Sequence, residues 1–231
     1  HLSFVETGRS KPSRELLLHL ADHLDVPLRE RNGLLLAAGY APVYGERAID
    51  DEAMAPVREA LDKLLGGHEP YPALVVDRHW DIVTANGSAL TLMGSLVRGE
   101  LLAPPINALR VLLHPEGLAP HITNLAEYSA HVLHRLRHQA TLVQDPALRD
   151  LYDELEGYPG VAATSPDVHD LAALVFTTLR LRFDGRELAF FSTLTTFGTA
   201  VDVTLAELLI ESFYPADQTT ADTLRSLPSG S

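Results

Sequence analysis

Asp184-Gly185, set between two runs in which bulky apolar residues and threonines alternate, narrows the possible folds more than any other feature. An Asp-Gly link favours a two-residue turn with both central residues at positive φ, whose twist matches that of two antiparallel strands. It predicts a hairpin of strands over 171–183 and 187–197, and a sheet built on that hairpin needs a covering layer on one face. Val175, Thr177, Leu179, Leu181 and Phe183 share one side of the first run; Phe191, Thr193, Thr195 and Phe197 share one side of the second. A third strand signal spans 205–214. Two shorter ones, Ala73-Leu74-Val75-Val76 and Ile82-Val83-Thr84-Ala85, flank Asp77–Asp81 and predict a further hairpin. The chain between 86 and 156 reads as helical. Asn86-Gly87-Ser88 caps a helix carrying Leu90 and Met93, Pro104-Pro105 and His114-Pro115 break the pattern, and amphipathic helices are predicted over 124–142 and 146–156. Two strands, a helical block and three strands make an α+β domain with one antiparallel five-stranded sheet covered by helices.

The first 40 residues are different. Pro12-Ser13 opens a helix whose Leu16, Leu17, Leu20 and Leu24 recur at helical spacing to about Asp25, and Pro27 starts another that closes near Gly39. Leu2 and Val5 fit the last turns of a helix ending at Gly8. Ala41–Asp51 shows no periodicity and reads as a linker. A helix with Met54, Val57, Leu61, Leu64 and Leu65 on one face follows, ending at Gly66-Gly67. The expected domains are therefore 1–40, a linker with its helix over 41–70, and 71–231.

Charge and composition exclude several classes. The net charge is −13, yet residues 1–47 carry six basic and six acidic groups, so the whole excess lies beyond Arg47. An acidic body repels a phosphate backbone, which leaves only the N-terminal part to meet nucleic acid. Without cysteine there is no disulfide framework, zinc ribbon, iron-sulfur cluster or thiol nucleophile. No apolar run reaches the ~18 residues of a membrane span, so no membrane partner is expected and a cytoplasmic location fits. Nucleophile elbow, Walker loop and dinucleotide fingerprint are all missing, and no enzyme or catalytic residue is assigned.

Leu2-Ser3-Phe4-Val5-Glu6-Thr7-Gly8-Arg9-Ser10-Lys11-Pro12-Ser13, continued by Leu16-Leu17-Leu18-His19-Leu20-Ala21 and Leu24-Asp25-Val26-Pro27, resembles the end of the recognition helix and the following helix of the Cro/repressor-type helix-turn-helix (XRE) family. The resemblance implies that His1, Ser3 and Phe4 lie near base edges and that Arg9 and Lys11 lie near the DNA backbone. The two helices that should precede His1 are absent, so the sequence reads as a partial all-α helix-turn-helix, from a fragment or processed product. Tyr71–Asn86, Asn107–Pro115 and Ala206–Pro215 resemble the PAS-like ligand-binding domain of MmyB-like regulators, which stands behind this type of helix-turn-helix. Many relatives have Trp-Asn where this chain has Ala85-Asn86. That resemblance implies a small-molecule-responsive, homodimeric transcription regulator, for which a long-chain fatty acid is a reported type of ligand; no cofactor is expected beyond such a bound lipid.

For an apolar or acyl ligand, Leu90, Met93, Leu109 and Leu113 are candidates on the helix side, Phe191 and Phe197 on the sheet side, with Asn86 beside the small Ala85. Arg110, near Asn107 and His114, is the cation set most directly in an apolar segment, and its planar fork suits a carboxylate; an ion pair with one of the many acidic side chains is the alternative. His131, His134 and His138 share a helix face but lack a ligand motif, so no metal site is assigned. Three rival readings remain: a haem- or metal-binding sensor, a ligand-free dimerisation module, and a metal-dependent hydrolase built on those histidines.

Overall fold

The computed structural model describes residues 5, 7–162 and 177–226. The chain forms two compact units, residues up to 58 together with 196–208, and 59–195 together with residues from 209 on.

In the first unit the Ser13 hydroxyl accepts the Leu16 N–H and opens α1 (Arg14–His23), and Pro27 precedes α2 (Leu28–Ala37). Gly39, at φ 81°, ends α2 in a Schellman motif: the Tyr40 N–H reaches the Leu35 carbonyl at 2.8 Å and the Gly39 N–H that of Leu36 at 2.9 Å. Residues 41–51, expected as a linker, are instead pinned here. Asn32 holds the backbone of Val43 and Tyr44, and Arg29 bridges Glu46 and Glu207. Residues 196–208, expected inside the C-terminal domain, belong to this unit: the Val203 N–H bonds the Gly45 carbonyl at 2.8 Å. The strand expected from Leu205 accordingly begins only at Leu209, because Asp202 caps a one-turn helix over Val203–Glu207. α3 (Ala55–Gly67) follows a turn capped by Asp51 and buries Leu61 and Leu65, while Leu64 is exposed.

The second unit is built on one sheet of β1 (Ala73–Val76), β2 (Ile82–Ala85), β3 (Leu179–Phe183), β4 (Arg186–Thr195) and β5 (Leu209–Pro215) in the order β2-β1-β5-β4-β3, every neighbour antiparallel. Asp184 and Gly185 both take positive φ, as the hairpin predicted. Among the described residues the helices of this unit are α3 from residue 59 on, α4 (Gly87–Leu96), α5 (Ala108–Leu113), α6 (Leu125–Val143), α7 (Pro146–Glu156) and α8 (Gln218–Ser226), the last not anticipated. The part of the first expected strand from 171 to 176 lies outside the described residues.

Register decides which side chains the helices cover. Leu179 pairs with Phe190 and Leu181 with Leu188; Ser192 pairs with Phe213, and Glu211 faces Leu194 on one side and Leu74 on the other. The covered face therefore carries Leu188, Phe190 and Ser192, not Phe191, Thr193 and Thr195. A one-residue slip exchanges the two faces of a strand, and the adjacent Phe190-Phe191 leaves both settings plausible from sequence alone. Arg180, Arg182, Glu187 and Thr193 stand exposed on the far side. Over the covered face, Leu113, Leu133, Leu136, Leu148 and Leu155 are fully buried, each contributing on the order of 2 kcal/mol.

Candidate functional site

Between the covered face and α4, α5 and α6 lies a cavity of about 80 Å³, which at about 10–15 Å³ per water-sized probe has room for about six such groups. Leu74, Leu179, Leu181, Phe190, Glu211 and Phe213 form its floor; Leu92 and Met93 of α4, Leu109 and Leu112 of α5 and Tyr128 of α6 form its roof. Two asparagines shape it. Asn86 caps α4 by accepting the Ala89 N–H; the same oxygen takes the Ala73 N–H, and its amide nitrogen donates to the carbonyls of Tyr71 and Leu65. Asn107 caps α5 through the Arg110 N–H and donates to the His79 carbonyl and to Asp81. Behind α5, a Cβ on Gly117 would stand 2.3 Å from the Val111 carbonyl oxygen, so only glycine lets that turn close against the helix.

Of the residues the sequence singled out, Met93 and Leu109 line the cavity. Leu113 is in the core beside it. Asn86 and Asn107 are buried but fully engaged in capping. Leu90 points to solvent, 56% exposed, because the apolar face of α4 runs through Ala89, Leu92 and Met93. Phe191 is on the far face of the sheet, stacked on Tyr214 at 5.2 Å, and Phe197 belongs to the other unit. Arg110 does not face the cavity: its guanidinium grips Glu154 with contacts of 2.8, 2.9 and 3.1 Å. His114 accepts the Glu116 N–H and meets Tyr158 edge-on. Arg9 and Lys11 are exposed in the turn before α1; His1, Ser3 and Phe4 lie outside the described residues. Among the described residues no three His, Asp or Glu side chains are placed to hold a metal ion.

The Arg110–Glu154 pair has a measurable signature. The hydrogen bond from Arg110 is the main reason that the Glu154 carboxyl lies below its ordinary range, against the opposing pull of burial. A depressed carboxylate stabilises the fold above its unfolded pKa, about 4.3, and that contribution disappears as pH falls through the lower folded value. Both side chains are over a third exposed, so Arg110→Ala should cost under ~1 kcal/mol at neutral pH. The difference from the unchanged chain should shrink as pH falls below the ordinary carboxylate range in denaturant titrations, and ligand affinity should change less than about twofold.

Glu211, Tyr128 and Arg135 form the polar part of the site, and none of them was singled out from sequence. Glu211 sits on the covered face of the central strand, 6% exposed. Its Oε1 accepts the Ser192 hydroxyl at 3.1 Å and stands 3.8 Å from Arg135 Nη1. Arg135 lies over the Trp80 ring at 4.5 Å, and its buried Nε has no hydrogen-bond partner among the described residues. Burial first, then the charge of Glu211, push the Tyr128 phenol far above its ordinary value, so it stays protonated. Burial, helped by Arg135 and His134, keeps the His131 imidazole neutral at pH 7. His131, Arg135 and Ser192 line a second, polar hollow of about 40 Å³ that shares Tyr128 with the cavity. A signal was present in the sequence: Leu209-Ile210-Glu211-Ser212-Phe213 places a carboxylate on the same strand face as a leucine and a phenylalanine.

A family model described as the MmyB-like transcription regulator ligand binding domain matches residues 57–227. Among solved structures the chain is similar to the PAS domain from Bordetella pertussis BvgS, at 17% identity and a TM-score of 0.32, covering 74% of this chain and 93% of that one. No curated protein matches the chain.

Proposed function

Since the chain belongs to the MmyB-like transcription regulator ligand-binding domain family through residues 57–227, we propose that it is a DNA-binding transcription regulator that responds to a small apolar molecule held in the cavity of its sheet unit. The observation that carries this reading is the cavity itself, whose roof and floor are apolar except at Glu211 and Tyr128. A packed domain leaves such a space at a cost in dispersion contacts, and a ligand restores them. The cavity suits a compact molecule; a long-chain fatty acid, the ligand implied by the family resemblance, would need α4 and α5 to move outward.

The DNA-binding part of the proposal rests on the resemblance of residues 2–27 to an XRE helix-turn-helix. It is supported by the exposed Arg9 and Lys11 and by the neutral charge of the N-terminal segment against an acidic remainder. Ligand occupancy would bias the pairing of two copies in a homodimer, and so the spacing of their DNA-binding heads. A cytoplasmic location accords with that role, and no described helix is long and apolar enough to cross a membrane.

Native mass spectrometry before and after organic extraction tests the ligand part. One small molecule per chain, absent from a Met93→Trp variant that fills the cavity, is the expected result; an empty protein that no apolar compound stabilises against heat would overturn it. Selection from a randomised duplex library tests the other part. Recovery of a defined sequence is expected, whereas retention of every duplex, lost at raised salt, would leave only non-specific attraction.

A further inference from the structure

Resting on the cavity as the ligand site, we infer that its occupancy is transmitted to the N-terminal helices within each single chain, through the segment 196–208 that joins β4 to β5. A hairpin between paired strands needs only about two to five residues. Here the ladder ends with Thr195 paired to Ile210, yet the chain between Thr195 and Leu209 is built into the helical unit. Both strands that it joins line the cavity, β4 with Phe190 and β5 with Glu211 and Phe213. The floor of the cavity and the N-terminal unit are therefore continuous through one covalent segment.

That segment is latched. The Val203 N–H bonds the Gly45 carbonyl at 2.8 Å, and Gly45 bridges Asp202 so closely that a Cβ there would stand 3.3 Å from Asp202 Oδ2. The Asp202 carboxylate caps the one-turn helix through the Thr204 N–H and accepts Arg47 Nη1 at 3.2 Å. Glu207 accepts Nε and Nη2 of Arg29, on α2, at 2.7 and 2.9 Å, and Arg29 also reaches Glu46 at 2.6 Å. A lone surface ion pair contributes little, but one arginine shared by two carboxylates and joined to backbone bonds makes a network that opens as a whole. Opening it frees the ends of β4 and β5, the strands that form the floor. A ligand that binds only the closed floor then holds the latch closed as well, because both belong to one opening equilibrium. Such a two-state element, biased from either end, is a physical basis for coupling and needs no second copy of the chain.

The test is residue-resolved hydrogen exchange of the full chain by NMR, with hexanoate or 1-hexanol as the probe, whichever binds more tightly, at about ten times its measured Kd. Amides whose opening expels the probe should exchange about tenfold more slowly, at Val203 and in α2 as well as at Phe190 and Phe213 of the floor. Glu207→Gln and, separately, Arg47→Gln remove one charge from the latch while keeping much of the side-chain shape. Each should retain the slowing at the floor, and in one or both it should fall below about threefold at Val203 and α2; the two act on separate ties, so one that fails to fold leaves the other as the test. Slowing confined to the floor in the unchanged chain, or slowing at Val203 and α2 that survives in every folded variant, would overturn the proposal and leave the cavity standing as the ligand site. No slowing at the floor with either probe would overturn the cavity reading and the proposal with it.

Discussion

Asn86→Ala should destabilise the sheet unit by about 3 kcal/mol, more than its position at the start of a helix suggests. Loss of an N-cap alone costs about 1 kcal/mol. Here the same oxygen also satisfies the Ala73 N–H in the buried first residue of β1, and the amide nitrogen holds the Tyr71 and Leu65 carbonyls. Alanine would strand a buried donor, which adds about 1–3 kcal/mol. Asn86→Ser, which can still cap α4 but cannot reach the other partners, should fall between the two. Leu90→Ala, one turn along and exposed, should change stability by no more than about 0.5 kcal/mol. Urea titrations followed by the fluorescence of Trp80, the only tryptophan, report on the unit that contains both sites. Equal costs for Asn86→Ala and Leu90→Ala would mean that the asparagine does no more than cap.

The contrast between Asn86 and Leu90 shows where the sequence was legible. Local chemistry could be read: Asn86 as a cap, Asp184-Gly185 as a hairpin, Pro146 as the first residue of α7. Each of these depends on a backbone preference that a neighbour cannot override cheaply. The five-stranded sheet and its helical layer followed from the order of those signals. What could not be read was which face of each element turns inward, because that is decided by partners distant in the chain. Phe190 and Phe191 are equally apolar, and only the pairing with Leu179 and Pro215 puts the first of them inside. Arg110 looked like a ligand cation for the same reason. Its neighbours in sequence are apolar, but Glu154, forty-four residues on, claims it. The segment 196–208 was misplaced because its tie to Gly45 is a backbone bond that no side-chain pattern advertises. The polar end of the site is hidden in the sequence because an acyl ligand implies a cation to meet it, whereas the strand offers a carboxylate of its own.

The largest single effect is expected at Trp80. Its side chain is 1% exposed, its indole N–H donates to Gln139, and its ring carries Arg135, so Trp80→Ala should cost about 4 kcal/mol. Trp80→Phe should cost about 2 kcal/mol, retaining most of the buried area and losing the hydrogen bond and part of the cation–π contact. The backbone makes a sharper prediction. Trp80 sits at φ 69°, a conformation that costs a side-chain-bearing residue roughly 1 kcal/mol or more. It is held there because the Asp77 carboxylate takes the N–H groups of both His79 and Asp81 while the Trp80 carbonyl accepts the Ala108 N–H at 2.8 Å. Once the indole is gone, the strain remains in the alanine variant and is relieved by glycine. Trp80→Gly should therefore be as stable as Trp80→Ala or more stable by up to about 1 kcal/mol, the reverse of the usual order. Circular dichroism during denaturation replaces the lost fluorescence as the readout. The same carbonyl positions the first residue of α5, part of the cavity roof. The alanine and glycine variants should thus also weaken binding of whatever occupies the cavity, and a variant with unchanged ligand affinity would show that the loop and the roof are not coupled.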